Sequence, residues 1–86
     1  MKIIWSTESW DDFEWWLDND KKLVKRIRKL LHDVMRNPFD GIGKPEPLKG
    51  DYSGLWSRRI SEEHRLIYYV EKGDLYIVSV RYHYHR

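Results

Sequence analysis

The stretch Leu55-Trp56-Ser57-Arg58-Arg59-Ile60-Ser61-Glu62-Glu63-His64-Arg65-Leu66-Ile67-Tyr68-Tyr69-Val70-Glu71-Lys72-Gly73-Asp74-Leu75-Tyr76-Ile77-Val78-Ser79-Val80-Arg81-Tyr82 decides the fold. It holds three runs rich in β-branched and aromatic residues, about Leu55–Ile60, Arg65–Val70 and Leu75–Tyr82, parted by Ser61–His64 and by Lys72-Gly73. Short apolar runs bounded by turn residues read as strands joined by tight turns, so this part of the chain predicts an antiparallel meander.

Upstream, residues 39–50 carry Gly41, Gly43, Pro45, Pro47 and Gly50 with no period, an ordered loop because each proline fixes φ and restricts the residue before it. Before the loop, Leu23, Val24, Ile27, Leu30, Leu31, Val34 and Met35 recur at the helical period and stop at Asn37-Pro38. A preceding helix is capped by Ser6 or Thr7, with Glu8 and Asp11 in or near its first turn. Its apolar stripe is Trp10, Phe13 and Leu17, with Trp16 on the flank, and Asp18-Asn19-Asp20 breaks it and caps the next. Trp15 falls off that stripe, so an exposed tryptophan and a protein interface are expected there. Met1–Trp5 reads as a short strand. The order β-α-α-β-β-β predicts an α+β fold, one domain over residues 1–86, with an antiparallel sheet packed on one face by a helical hairpin.

Eighty-six residues suffice for one small core, and the absence of cysteine excludes disulfides and thiolate metal sites, as fits a reducing cytoplasm. The apolar start is too short for a signal peptide, and nothing resembles a membrane span. Sixteen basic against fourteen acidic residues give a net charge of only +2, so the distribution matters more than the total. Glu8, Asp11, Asp12, Glu14, Asp18 and Asp20 dominate the first helix, whereas Lys21, Lys22, Lys25, Arg26, Arg28 and Lys29 crowd the second. Such a run is usually a solvated helix face. Its density, with no acid until Asp33, favours a phosphate backbone as partner.

The tail Arg81-Tyr82-His83-Tyr84-His85-Arg86 joins groups that clamp phosphate, stack on bases and move protons near neutral pH. His83 is the candidate general acid, able to protonate a leaving 5′-oxygen. Tyr82 is expected in the core and Tyr84 on a base. Glu46 lies between two prolines with Lys44 and Lys49 at its sides, a carboxylate on stiff backbone that suits a general base. Arg58, Arg59 and Arg65 supply cations for a phosphorane-like transition state. If Ile60 stands opposite Arg65, then Arg58 shares a face with Arg65 and Arg59 points away. A two-residue turn at Lys72-Gly73 would put Arg65 and His83 on opposite faces, and a three-residue turn with a bulge would unite them. His83 and His85 alone make a poor ligand pair, so no metal or other cofactor is expected.

Six blocks of the sequence resemble the YoeB toxins of the RelE/ParE superfamily, across essentially the full length. They are Ile4-Trp5-Ser6 with Glu8-Ser9-Trp10-Asp11-Asp12, Asn37-Pro38-Phe39, Gly43-Lys44-Pro45-Glu46-Pro47-Leu48-Lys49, Gly54-Leu55-Trp56-Ser57-Arg58-Arg59-Ile60, Glu62-Glu63-His64-Arg65-Leu66 and Arg81-Tyr82-His83-Tyr84. The resemblance implies a RelE-like fold and a ribosome-dependent mRNA endoribonuclease cutting in the decoding site. Carried over by position, it makes Glu46 the base, His83 the acid and Arg65 the stabiliser of the scissile phosphate. Lys49, Arg59 and Tyr84 would support substrate placement. It also implies a YefM-like antitoxin, the 70S ribosome and mRNA as partners, operator DNA only through the antitoxin, a homodimer, and a cytoplasmic site of action. His85-Arg86 extends beyond the tyrosine where such chains typically stop. Two other functions fit the fold, a ParE-like gyrase inhibitor and a plain RNA-binding module. The joint presence of Glu46, Arg65 and His83 favours the nuclease, because a binding toxin needs no acid–base pair.

Overall fold

The computed structural model describes residues 1–82; His83, Tyr84, His85 and Arg86 lie outside the described residues. Strands β1 (Ile3–Trp5), β2 (Glu46–Pro47), β3 (Trp56–Arg59), β4 (Arg65–Glu71) and β5 (Asp74–Ser79) form one sheet in the order β1-β5-β4-β3-β2. Helices α1 (Thr7–Asn19) and α2 (Lys21–Arg36) cover one of its faces. No helix among the described residues is long and apolar enough to cross a membrane.

Two features depart from the expected sheet. It is mixed rather than wholly antiparallel, because β1 lies parallel to β5 with Ile3 opposite Leu75 and Trp5 opposite Ile77. In addition, the segment read as an ordered loop contains β2, which pairs Glu46 with Ser57 and Pro47 with Trp56. Proline is tolerated there because β2 is an edge strand.

The β4–β5 hairpin closes through Lys72-Gly73, both at positive φ (51° and 80°), between the paired residues Glu71 and Asp74. That is the backbone a two-residue hairpin requires. Farther along, Tyr68 faces Ile77 but Ile67 faces Ser79, so Val78 is an extra residue in β5. The bulge has a packing purpose. Ile77 and Val80, three apart, are both buried among the helices, which a regular period-2 strand forbids. The hairpin thus combines the two-residue turn with a bulge placed well away from it.

Ser6 caps α1, its side chain accepting the Ser9 N–H at 3.0 Å. The inward line of this helix is Ser9, Phe13 and Trp16, not the expected Trp10, Phe13 and Leu17. Trp16 is 4 % exposed, whereas Trp10 and Leu17 are 43 % and 45 % exposed. Two polar anchors set this rotation: Ser9 Oγ donates to the Ile77 carbonyl at 3.0 Å, and Trp16 Nε1 donates to that of Val80 at 2.8 Å. A buried indole whose N–H is satisfied outweighs a leucine on a helix edge. Trp15 is exposed as expected. In α2, capped by Asp20, the residues Ile27, Leu30, Leu31 and Val34 are buried as their period implied. They meet Leu66, Tyr68, Leu75, Ile77 and Val80 from the sheet in one core.

Candidate active site

Residues directly opposite on neighbouring strands share a face. Glu46 opposes Ser57, Ser57 opposes Ile67, and Ile67 opposes Ser79, so these four make a row across β2, β3, β4 and β5 on the face away from the helices. The next row holds Arg59 opposite Arg65. Glu46 and Arg59 are therefore diagonal neighbours, whose backbones lie roughly 7–8 Å apart, within joint reach of a phosphate for side chains this long. Glu46 and Arg59 are exposed and Arg65 is half-buried. Lys44 and Lys49 are exposed on the segment that carries Glu46. Farther along the same face, Tyr69 and Tyr76 stack with centroids 4.8 Å apart.

This register corrects the parity reading. Arg59, not Arg58, shares the face of Arg65, because Ser61–Glu63 and His64 form a turn in which Ile60 N–H binds the His64 carbonyl. Arg58 is 0 % exposed and turned into the core, so it is no phosphate contact. Its guanidinium instead holds the loop that leads to Glu46. Nε donates to Tyr68 Oη at 3.1 Å, Nη1 to Asp33 Oδ2 at 2.6 Å and to the Ile42 carbonyl at 3.1 Å, and Nη2 to the carbonyls of Asn37 and Asp40. Tyr68 Oη donates in turn to the Pro38 carbonyl at 2.6 Å. The Ile42 N–H and the Arg58 guanidinium hold the Asp33 carboxyl below the usual carboxylate range. Burial pushes the Tyr68 hydroxyl above its ordinary value.

The loop can lie this close only because of glycine. At Gly41 (φ 125°) a Cβ would stand 2.0 Å from Asp33 Oδ2, and at Gly43 (φ 79°) 2.7 Å from Leu30 Cδ2. The Gly43 carbonyl accepts the Arg59 N–H at 2.6 Å, which ties the approach to Glu46 directly onto β3. Asp33 and Tyr68 escaped the sequence reading, which took Arg58 for a phosphate contact rather than the centre of a clamp. The available signal was an acid three residues after Leu30, at the margin of the apolar stripe of a basic helix.

Arg65 is oriented by its own turn. Its Nη1 donates to the carbonyls of Ser61, Glu62 and His64 at 2.7, 3.1 and 3.1 Å. Its backbone N–H binds the Tyr82 carbonyl at 3.1 Å, so the described chain ends beside Arg65. Tyr82 is 55 % exposed rather than in the core. The Arg81 guanidinium lies 3.7 Å from the centroid of the Trp15 ring. Burial raises the Asp12 carboxyl above its usual value, although a hydrogen bond at the Val80 backbone and the nearby Arg81 act the other way. The candidates His83 and Tyr84 lie outside the described residues.

The basic run of α2 belongs to the helix layer, on the other side of the sheet from Glu46. Lys21, Lys22, Lys25, Arg28 and Lys29 are exposed there, and Arg26 reaches across to donate to the Arg59 carbonyl at 3.2 Å.

Residues 5–84 match the family model described as a YoeB-like toxin of bacterial type II toxin-antitoxin systems. The chain is 58 % identical to Toxin YoeB of Escherichia coli K12 over 84 residues, 98 % of this chain and all of that protein. Among solved structures it resembles the YoeB/ParE toxin from Agrobacterium tumefaciens, with a TM-score of 0.94 and 48 % identity over 98 % of this chain and all of the other. It also resembles YoeB from Staphylococcus aureus, solved in a heterotetrameric YoeB-YefM complex and as a dimer. The TM-scores there are 0.90 and 0.91, at 45 % identity, with 98 % of each chain covered. With a family model spanning nearly the whole chain and a shared fold, the chain belongs to the YoeB-like toxins of bacterial type II toxin-antitoxin systems.

Proposed function

We propose that this toxin is a ribosome-dependent endoribonuclease that cuts mRNA by metal-independent acid–base chemistry. The observation that carries the reading is the placement of Glu46, Arg59 and Arg65 on one open sheet face, with Glu46 on a strand braced by a buried clamp. Glu46 takes the proton of a ribose 2′-hydroxyl, whose oxygen attacks the adjacent phosphorus. Arg65 and Arg59 meet the charge that builds on the non-bridging oxygens. His83 gives its proton to the departing 5′-oxygen. The products are a 2′,3′-cyclic phosphate, or the 3′-phosphate after hydrolysis, and a 5′-hydroxyl. Lys44, Lys49 and Tyr84 hold the neighbouring phosphates and base.

Positioned acid–base groups typically supply about 10²–10⁴-fold. The rest would come from the 70S ribosome presenting the mRNA with its nucleophile in line. The exposed lysines of α2 suit contact with structured RNA on the side away from the cut. A YefM-like antitoxin would hold the toxin in check, as the partner of the Staphylococcus aureus protein suggests, and operator DNA would be met only through it. A homodimer is supported by the aromatic cluster of Trp5, Trp10 and Phe13 with Trp10 exposed, and by the dimer of the Staphylococcus aureus toxin. The site of action would be the cytoplasm, among translating ribosomes.

Primer extension on mRNA from an in vitro translation reaction tests the reading, with Glu46→Ala and His83→Gln alongside. Cuts inside codons that need ribosomes and vanish in both variants support it. Intact mRNA with the unmodified chain overturns it in favour of gyrase inhibition or simple RNA binding.

A further inference from the structure

We propose that His64 is a positioning residue, which locks Tyr82 in a left-handed backbone conformation and so holds this end of the described chain beside Arg65. The catalytic part of this inference rests on the nuclease reading. Tyr82 has φ 59°, a region that a bulky L-residue enters rarely and keeps only where its neighbours over-determine it. Both of its peptide groups are held. Its N–H donates to His64 Nδ1 at 2.7 Å, and its carbonyl accepts the N–H of Arg65 at 3.1 Å. The two residues that fix Tyr82 are thus consecutive, and the second is the proposed phosphate ligand.

His64 is itself well held. Its carbonyl accepts the N–H groups of Ile60 and Ser61 at 2.9 and 3.2 Å, and its own N–H donates to Ser61 Oγ at 3.2 Å. The ring meets Trp16 edge-on, with centroids 4.7 Å apart, and packs against the Tyr82 ring at 5.1 Å. An Nδ1 that accepts a hydrogen bond carries no proton, so His64 is the neutral Nε2–H tautomer. The preceding residues are anchored independently, Val80 through Trp16 Nε1 and Arg81 through the Ser79 hydroxyl and the Trp15 face. Tyr82 is therefore the point at which the path of the chain is set, next to Arg65. Strain of this kind gathers where a group must be aimed.

Two measurements decide the matter. In the ¹⁵N-labelled full chain, a scalar coupling across the hydrogen bond between the Tyr82 amide nitrogen and His64 Nδ1 is expected; its absence overturns the clamp whatever the activity. Single-turnover cleavage on mRNA-programmed ribosomes then compares His64→Leu, which fills the space without an acceptor, with His64→Asn, whose amide oxygen falls near the Nδ1 position. The expected result is a loss of about ten- to a hundredfold in cleavage rate for His64→Leu, with ribosome affinity unchanged, and substantial recovery in His64→Asn. Cleavage by His64→Leu at the unmodified rate overturns the positioning role, as does an equal loss in both variants that follows a fall in melting temperature. If the unmodified chain fails to cut, the nuclease reading and the catalytic half of this inference fall together, and the coupling still decides the clamp.

Discussion

Arg59 stands directly opposite Arg65 in the β3–β4 ladder, and Arg58, one position earlier, points the other way, its buried guanidinium paired with the partly exposed carboxylate of Asp33. Adjacent arginines thus do opposite work. One adds positive charge to an open face, and the other spends its charge inside the protein holding a loop.

Like charges directly opposite one another destabilise a sheet. Replacing Arg59 by Thr, which favours strands, should therefore raise the stability of the fold by about 0.2–1 kcal/mol while weakening RNA cleavage. Urea unfolding read by tryptophan fluorescence gives the first quantity and the translation assay the second. A variant that is less stable than the unmodified chain would show that the arginine pair is not in conflict.

Arg58→Leu removes the clamp, leaving the Asp33 carboxylate only the Ile42 N–H and Arg36, and the carbonyls of Asn37, Asp40 and Ile42 without the guanidinium as donor. Leaving buried acceptors without their donor typically costs about 1–3 kcal/mol for each group, a large share of the stability of a domain this small. The midpoint in urea should fall sharply, and Glu46 should lose its fixed approach to β3. Arg58→Lys should recover little, because an ammonium cannot reproduce the fork that spans Tyr68, Asp33 and three carbonyls.

Acid titration isolates Asp33. Its folded pKa is held below the usual carboxylate range, so it contributes stability that is present above the unfolded value and is lost as pH falls through the lower folded one. Asp12 has the opposite sign: its folded pKa is raised, so its protonation on acidification favours the folded chain. Asp33→Asn should thus be less stable near neutrality and lose less on going below pH 3.8. Thermal midpoints across the acid range check this, and equal acid slopes for the two chains would contradict it.

Gly41→Ala places a methyl group 2.0 Å from Asp33 Oδ2 at a φ of 125°, so the loop must move off the clamp. A loss of more than about 1 kcal/mol is expected, together with slower cleavage. Gly54→Ala is the comparison: its φ is 100°, but nothing stands within 4 Å of the added Cβ, so only the backbone cost applies.

Deleting Val78 removes the bulge. With the extra residue gone, Ser79 still faces Ile67 and Val80 falls two positions after Ile77, so a regular strand keeps both Ile77 and Val80 on the core face. Retained cooperative melting by circular dichroism is the expected outcome, and loss of cooperative melting would show that the bulge itself is required.

Much of this was legible in the linear chain. The period of α2, the cap at Ser6 or Thr7, the turn at Lys72-Gly73 and the two prolines that hold Glu46 are local matters, set by spacing and by φ restrictions that a few neighbouring residues carry. Glu46, Arg65 and Lys49 stood out because charge beside stiff backbone is visible without a fold. The failures share a cause. Whether Trp10 or Trp16 faces inward depended on which of them found a carbonyl on β5, and whether Arg58 or Arg59 joined Arg65 depended on one residue of hairpin register.

The sequence by itself determined both helices and four of the five strands, their order, the helix-on-sheet layering and the residue types that make RNA chemistry feasible, because periodicity and turn chemistry are written within a few residues. Only the tertiary structure decided the parallel seat of β1, the bulge at Val78, the burial of Arg58 against Asp33 and the hold of His64 on Tyr82. Each of these joins groups far apart in the chain or shifts a ladder by a single residue. Their energies arise from desolvation and hydrogen-bond geometry at contacts that no local pattern encodes.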